Sequence, residues 1–156
     1  MRLAALLCLL VLPAWAADLA DRPGWAVHHT ALSYQELLER TKAAVKAEKM
    51  GLVTQAGPTE VAARRGEIIP GNRVLGVFRN DFAVRAVRLS TAAMIEAPIR
   101  LYVTENADGS ATLAYKTPSY VFAPYAGEGG EGLVELATEL DAIFAAIAAR
   151  AIAAKP

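Results

Sequence analysis

The stretch IRLYVTENADGSATLAYKT (residues 99–117) contains two alternating runs on either side of a turn rich in Asn, Asp and Gly. This pattern predicts a β-hairpin with strands over 99–105 and 111–117. One register collects the apolar side chains of both strands on one face, through the pairs Glu105–Ala111, Val103–Leu113 and Leu101–Tyr115. A shift of one residue would mix apolar and polar side chains on each face, so this register is favoured.

The opposite face of the predicted hairpin carries mostly polar and amphipathic side chains, Arg100, Tyr102, Thr104, Thr112, Ala114 and Lys116. We expect a ligand or a second subunit to cover this face, with Tyr102 as an amphipathic anchor. Arg100 and Lys116 would favour an acidic group there. The alternative is that a long loop over residues 120–130 folds across the face as a lid.

Helices are predicted before and between the strands. Ser33 and Glu36 form a capping box at the start of a helix that we expect Gly51 to end. Asn80 is the expected cap of a second helix, which continues to about Ala93. Both helices have an apolar stripe that must pack against a sheet.

Shorter segments complete this part of the chain. Residues 25–30 and 52–56 are predicted strands. Thr59 is expected to cap one or two helical turns over 59–65. Residues 73–78 form an apolar run that is typical of a central strand covered on both faces, and either set of its alternating side chains could face the helices.

The glycine-rich stretch 127–132 matches the dinucleotide-binding pattern G-x-G-x-x-G, but its surroundings do not. Glu128 and Glu131 would repel a pyrophosphate, and no βαβ unit contains the stretch. We therefore predict a flexible loop there. A last helix should follow, with an apolar stripe made of Leu133, Leu136, Ala137, Leu140, Ile143, Phe144 and Ile147.

Together these elements predict an α+β protein. The economical arrangement is a single two-layer domain in which helices pack on one face of a mostly antiparallel sheet. The other face would then carry the function.

The first 16 residues have the three parts of a secretory signal peptide. Arg2 supplies a positive charge, residues 3–12 form an apolar run, and Ala14 and Ala16 occupy the positions that signal peptidase reads. The run, about ten residues, is too short to span a bilayer, so no stable membrane anchor is expected. The predicted organisation is a signal peptide over 1–16, a flexible arm over 17–23 and a single domain over 24–153, located in the periplasm.

Composition excludes several kinds of site. Cys8 is the only cysteine and lies in the predicted signal peptide, so the mature chain should have no disulfide or thiol chemistry. Without Arg2, 15 basic and 16 acidic residues remain, and no Lys and Arg cluster indicates nucleic-acid binding. His28 and His29 should point to opposite faces of a strand, one satisfied and one exposed, so we predict no metal site and no cofactor.

Three stretches resemble the family called domain of unknown function 302: GNRVLGVFRNDFAVR (Gly71–Arg85), APIRLYVTENADG (Ala97–Gly109) and ATLAYKTPS (Ala111–Ser119). The Ser33 capping box fits the opening segment of the family, and the resemblance covers residues 25–151. It implies a TATA-binding-protein-like fold with a curved antiparallel sheet, helices on one side and frequent pairing as dimers. It implies no catalytic residue.

The leading hypothesis is a non-enzymatic periplasmic module that binds a small ligand or a periplasmic protein through the open sheet face. The candidate binding residues are Arg100, Tyr102, Lys116 and His29. One alternative is an enzyme that needs neither metal nor thiol, whose first suspects would be His29, Arg100, Tyr102 and Tyr115. Another is a purely structural domain that forms a homodimer.

Overall fold

The sheet has five antiparallel strands in the order β1-β5-β4-β3-β2. A computed structural model describes residues 18–154, so the predicted signal peptide and Cys8 lie outside the described residues. The strands are β1 (Trp25–Ser33), β2 (Gly51–Ala56), β3 (Asn72–Phe78), β4 (Ile99–Glu105) and β5 (Ser110–Lys116). The helices are α1 (Tyr34–Ala47), α2 (Thr59–Arg64), α3 (Asn80–Leu89), α4 (Pro118–Phe122) and α5 (Ala126–Ile152).

Helices α1, α3 and α5 pack over one face of this sheet, which confirms the predicted two-layer α+β domain. Phe144 on α5 and Leu37 on α1 are fully buried against Leu101 and Leu113 of the sheet. Within residues 18–154, no helix is both long and apolar enough to cross a bilayer.

The hairpin has the predicted register, with Glu105 opposite Ala111 and Leu101 opposite Tyr115. The interior strand β3 is aligned with β4 through Leu75–Leu101 and Val77–Ile99. Leu75 and Val77 therefore face the helices. Val74 and Gly76 lie on the opposite, open face. The sequence alone did not determine which of these two sets of β3 side chains faces the helices.

Helix α1 begins as predicted, because the Ser33 hydroxyl accepts a hydrogen bond from the Glu36 amide at 3.3 Å. It ends earlier than predicted. Lys49, with φ 57°, makes the left-handed turn that we assigned to Gly51. The Met50 amide then donates to the Val45 carbonyl at 3.0 Å, which brings the Met50 side chain into the core.

Two predicted helix caps are wrong. Thr59 is the first residue of α2, and its hydroxyl instead links the chain to β3 by accepting from the Asn72 amide and donating to the Pro70 carbonyl. Asn80 is likewise inside α3, which ends at Leu89. A short 3₁₀ helix, Ala92–Glu96, follows after a break at Ser90.

The glycine-rich stretch is helical, contrary to the predicted loop. It forms the first turns of α5, which is kinked at Gly130, where φ is 57°. Gly129 is buried against Leu133, and a Cβ atom there would lie 2.5 Å from the Leu133 side chain. A Cβ atom on Gly132 would lie 2.9 Å from Leu89 of α3. Close packing explains Gly129 and Gly132, and the positive φ at the kink explains Gly130.

Candidate functional site

Three rows of side chains cross the open face from strand to strand. The cationic row contains Trp25, Lys116, Arg100 and Gly76, where Arg100 stands opposite Lys116 when the β4–β5 register is continued by one residue. The apolar row contains Val27, Ala114, Tyr102 and Val74. The polar row contains His29, Thr112, Thr104 and Asn72.

A concavity of about 560 Å³, here called the sheet groove, opens at the end of the sheet that carries the cationic row. Arg100, Tyr102 and Lys116, predicted from the hairpin alone, all line it. Its full lining is Trp25, Asn72, Val74, Glu96, Ile99, Arg100, Tyr102, Tyr115, Lys116 and Val121. Sequence reasoning missed Trp25 and Glu96 because their positions depend on strand pairing and on the 3₁₀ helix, and it left Val74 as one of two alternatives for this face.

The charges of the cationic row are not neutralised by the protein. Within residues 18–154, neither Arg100 nor Lys116 forms an ion pair, and both are exposed. The Lys116 ammonium lies 5.8 Å from the centroid of the Trp25 ring, and the Arg22 guanidinium lies 5.2 Å from it. The groove therefore holds like charges on adjacent strands beside an aromatic ring, an arrangement suited to an anion.

One carboxylate, that of Glu96 in the 3₁₀ helix before β4, also lines the groove. It accepts a hydrogen bond from the Tyr125 hydroxyl at 2.8 Å. This bond to Glu96 raises the pKa of Tyr125. Glu96 thus joins its 3₁₀ helix to a second short 3₁₀ helix, Ala123–Tyr125, which follows α4.

His29 lies on the open face but does not line the groove. Its Nδ1 is 3.0 Å from the Thr112 hydroxyl, and that hydroxyl donates to Asn106 Oδ1 at 2.8 Å. With the Thr112 proton directed to Asn106, Nδ1–H of His29 is the donor of the bond to Thr112. The network holds the His29 ring at the polar row, away from Arg100 and Tyr102.

His28 points to the helix-covered face, as the strand alternation predicted. Its ring stacks on Tyr115 at a centroid distance of 6.1 Å, and its buried Nε2 has no hydrogen-bond partner in the described chain. Burial lowers the pKa of His28. We expected one hydrogen-bonded histidine and one exposed histidine. Instead, His29 is both exposed and hydrogen-bonded, and His28 is neither. Among residues 18–154, no group of three or more His, Cys, Asp or Glu could hold a metal ion.

Tyr115 contributes to the groove lining, but its side chain points away from the open face. Its ring packs on the helix side, 5.5 Å from the Phe144 centroid, and burial, with a smaller contribution from Asp141, raises its pKa. Arg100 and Tyr102 point to the opposite face. The four enzyme suspects therefore do not converge on one substrate position.

The predicted lid over residues 120–130 is helical, and of these residues only Val121 lines the groove. A different segment crosses the open face. The Asp18 carboxylate accepts from the Ala107 amide at 3.0 Å, and the Gly24 carbonyl accepts from the Thr117 amide at 2.9 Å. These two anchors lie beyond opposite ends of β5, so residues 18–24 run along this strand. Thr112 and Ala114 on β5 accordingly have no exposed surface.

Comparison with known proteins agrees with this architecture. The crystal structure of an uncharacterized conserved protein DUF302 from Bacillus stearothermophilus superposes with a TM-score of 0.72 at 19% sequence identity. The match covers 83% of this chain and 99% of that one, and at this identity it shows the shared fold alone. No curated protein matches the chain. The family model for the domain of unknown function DUF302 matches residues 25–151, and the chain therefore belongs to the DUF302 family.

Proposed function

We propose that this protein is a non-enzymatic module that binds a small ligand in the sheet groove. The observation that carries the proposal is the convergence of Arg100, Tyr102 and Lys116 with Trp25 in one concavity. The volume of about 560 Å³ lies within the range of small-molecule sites. Such sites combine apolar walls with a few placed polar groups, as this groove does.

The shape and charge of the open face favour a small ligand over a second copy of the chain. A face-to-face homodimer would place the same patch of each subunit against the other. Two cationic rows, each containing Arg100 and Lys116, would then approach each other. A flat, apolar and self-complementary face would support a dimer better than this concave and cationic one.

The predicted signal peptide indicates the compartment in which the module would act. We place the module in the periplasm, where a ligand would be met by the mature chain beginning at Ala17. The Tyr115 ring points to the helix side and His29 lies outside the groove, which supports binding without catalysis.

Native mass spectrometry of protein purified from periplasm tests the proposal. Wild-type protein should carry a bound small molecule, and Tyr102→Glu should lose it, because a carboxylate would replace the aromatic floor of the groove. Thr104→Glu is the matched control, since Thr104 lies on the same face of β4 but does not line the groove. Circular dichroism should show that both variants fold.

If Tyr102→Glu retains the ligand as well as Thr104→Glu does, the groove is not the binding site. If wild-type protein carries no ligand but is a dimer that Tyr102→Glu dissociates, the open face is a subunit interface and the proposal is wrong.

A further inference from the structure

We propose that the ligand of the sheet groove is a compact aromatic carboxylic acid, with its carboxylate at Arg100 and Lys116 and its ring on Trp25 and Tyr102. This inference rests on the proposed binding function and adds the chemical class of the ligand. The order of the three rows along the strands determines where the carboxylate and the ring would lie.

The carboxylate position follows from unmet positive charge. Like charges directly opposite each other on adjacent strands destabilise a sheet. Arg100 and Lys116 are placed this way, and neither has an ion-pair partner within residues 18–154. An anion between them would relieve the repulsion, and a guanidinium presents paired donors that match the two oxygens of a carboxylate.

The position of the aromatic ring follows from the neighbouring apolar row. Tyr102 and Val74 are half-buried in the groove, and Trp25 stands beside Lys116 at its margin. Two rings of this kind can sandwich or flank a flat apolar body.

The compact size follows from the spacing of the rows. The cationic and apolar rows are two residues apart along β4, which corresponds to about 7 Å. On β5, residues 18–24 pass over Thr112, the next open-face residue beyond the apolar row, which has no exposed surface. A carboxylate joined to one ring spans this distance, whereas a long alkyl chain would meet the crossing segment.

Glu96 distinguishes a simple acid from an amino acid. An ammonium group beside the carboxylate would require an anionic partner, and Glu96 is the carboxylate in the lining. Glu96 is already engaged by the Tyr125 hydroxyl, whereas Arg100 and Lys116 have no anionic partner in the described chain. The lining contains two cations and one carboxylate, so its net charge is positive, which favours the simple acid.

Isothermal titration calorimetry on the mature protein tests the inference with 3-phenylpropionate and its neutral match, 3-phenylpropanamide. The acid should bind at least tenfold more tightly than the amide. Arg100→Gln combined with Lys116→Gln should remove that difference. The control pair, Lys46→Gln with Arg88→Gln, removes the same charge from exposed helix positions outside the groove and should preserve it.

Equal affinity for the acid and the amide would overturn the assigned class while leaving groove binding intact. Tighter binding of laurate would overturn the compact size. Tighter binding of phenylalanine, lost in Glu96→Gln, would assign an amino acid instead. If none of these compounds binds and periplasmic protein carries no ligand, the proposed function itself fails.

Discussion

Trp25 and Lys116 are direct partners across β1 and β5, and the Lys116 ammonium lies 5.8 Å from the centroid of the Trp25 ring. A cation over an aromatic face is attracted by the ring quadrupole. This contact positions the Lys116 ammonium on the β1 side of β5, and no carboxylate within residues 18–154 pairs with Lys116 or with Arg100 on β4. Two like charges on adjacent strands, Arg100 and Lys116, therefore destabilise the free protein.

Arg100→Gln should stabilise the free protein while weakening its binding of acids. Removing one of two opposed like charges is expected to gain about 0.2–1 kcal/mol in the free energy of unfolding. Urea denaturation would measure the change, with Arg88→Gln as the control for loss of an exposed charge. A clear destabilisation by Arg100→Gln would show that the arginine has a structural partner.

His28→Phe should flatten the dependence of stability on pH. Because burial lowers the pKa of folded His28 below its ordinary value of 6.5, the unfolded chain takes up the proton first as pH falls. Wild-type stability should therefore decrease as pH falls through 6.5 and down to the folded pKa, and this loss should be smaller in the variant. Thermal melts from pH 8 to pH 5 would measure it, and parallel curves would contradict the assignment.

Gly129→Ala should destabilise the protein by about 1–3 kcal/mol, the range expected for overpacking in a tight interior. The added Cβ atom would lie 2.5 Å from the Leu133 side chain. Gly127→Ala provides the matched control, because nothing lies within 4 Å of its new methyl group. Urea denaturation should separate the two variants, and equal stability would favour the flexible loop that the sequence suggested.

The predicted signal peptide should be removed after Ala16. Intact-mass measurement of periplasmic protein should give a chain that begins with Ala17-Asp18. Full-length protein retained in the cytoplasm would contradict the predicted export. In the processed chain Trp25 is the only tryptophan, so its fluorescence reports on the groove directly.

The hairpin and the side chains on its two faces could be predicted from the sequence because strand alternation has a period of two. That period places Arg100, Tyr102 and Lys116 together whatever the rest of the fold does. Trp25 could not be added to them, since its neighbour depends on β1 pairing with β5, a contact between residues far apart in sequence.

Local composition misled where tertiary packing decided the conformation. The six residues Gly127–Gly132 have the composition of a loop, yet Gly129 leaves room for Leu133 within α5 and Gly132 lets α5 approach Leu89 of α3. Lys49 takes the left-handed turn expected of Gly51 because Met50 gains a buried position in the core. These local conformations depend on tertiary contacts, which a short segment of sequence does not reveal.

The most direct test of the central claim is a map of backbone amide chemical shifts in isotope-labelled mature protein during titration with 3-phenylpropionate. We predict that the largest changes occur at Trp25, Arg100, Tyr102 and Lys116, together with the indole N–H of Trp25. Changes confined to the turn around Ala107 or to the helix surface, or no changes at all, would contradict the assignment of the sheet groove as the binding site.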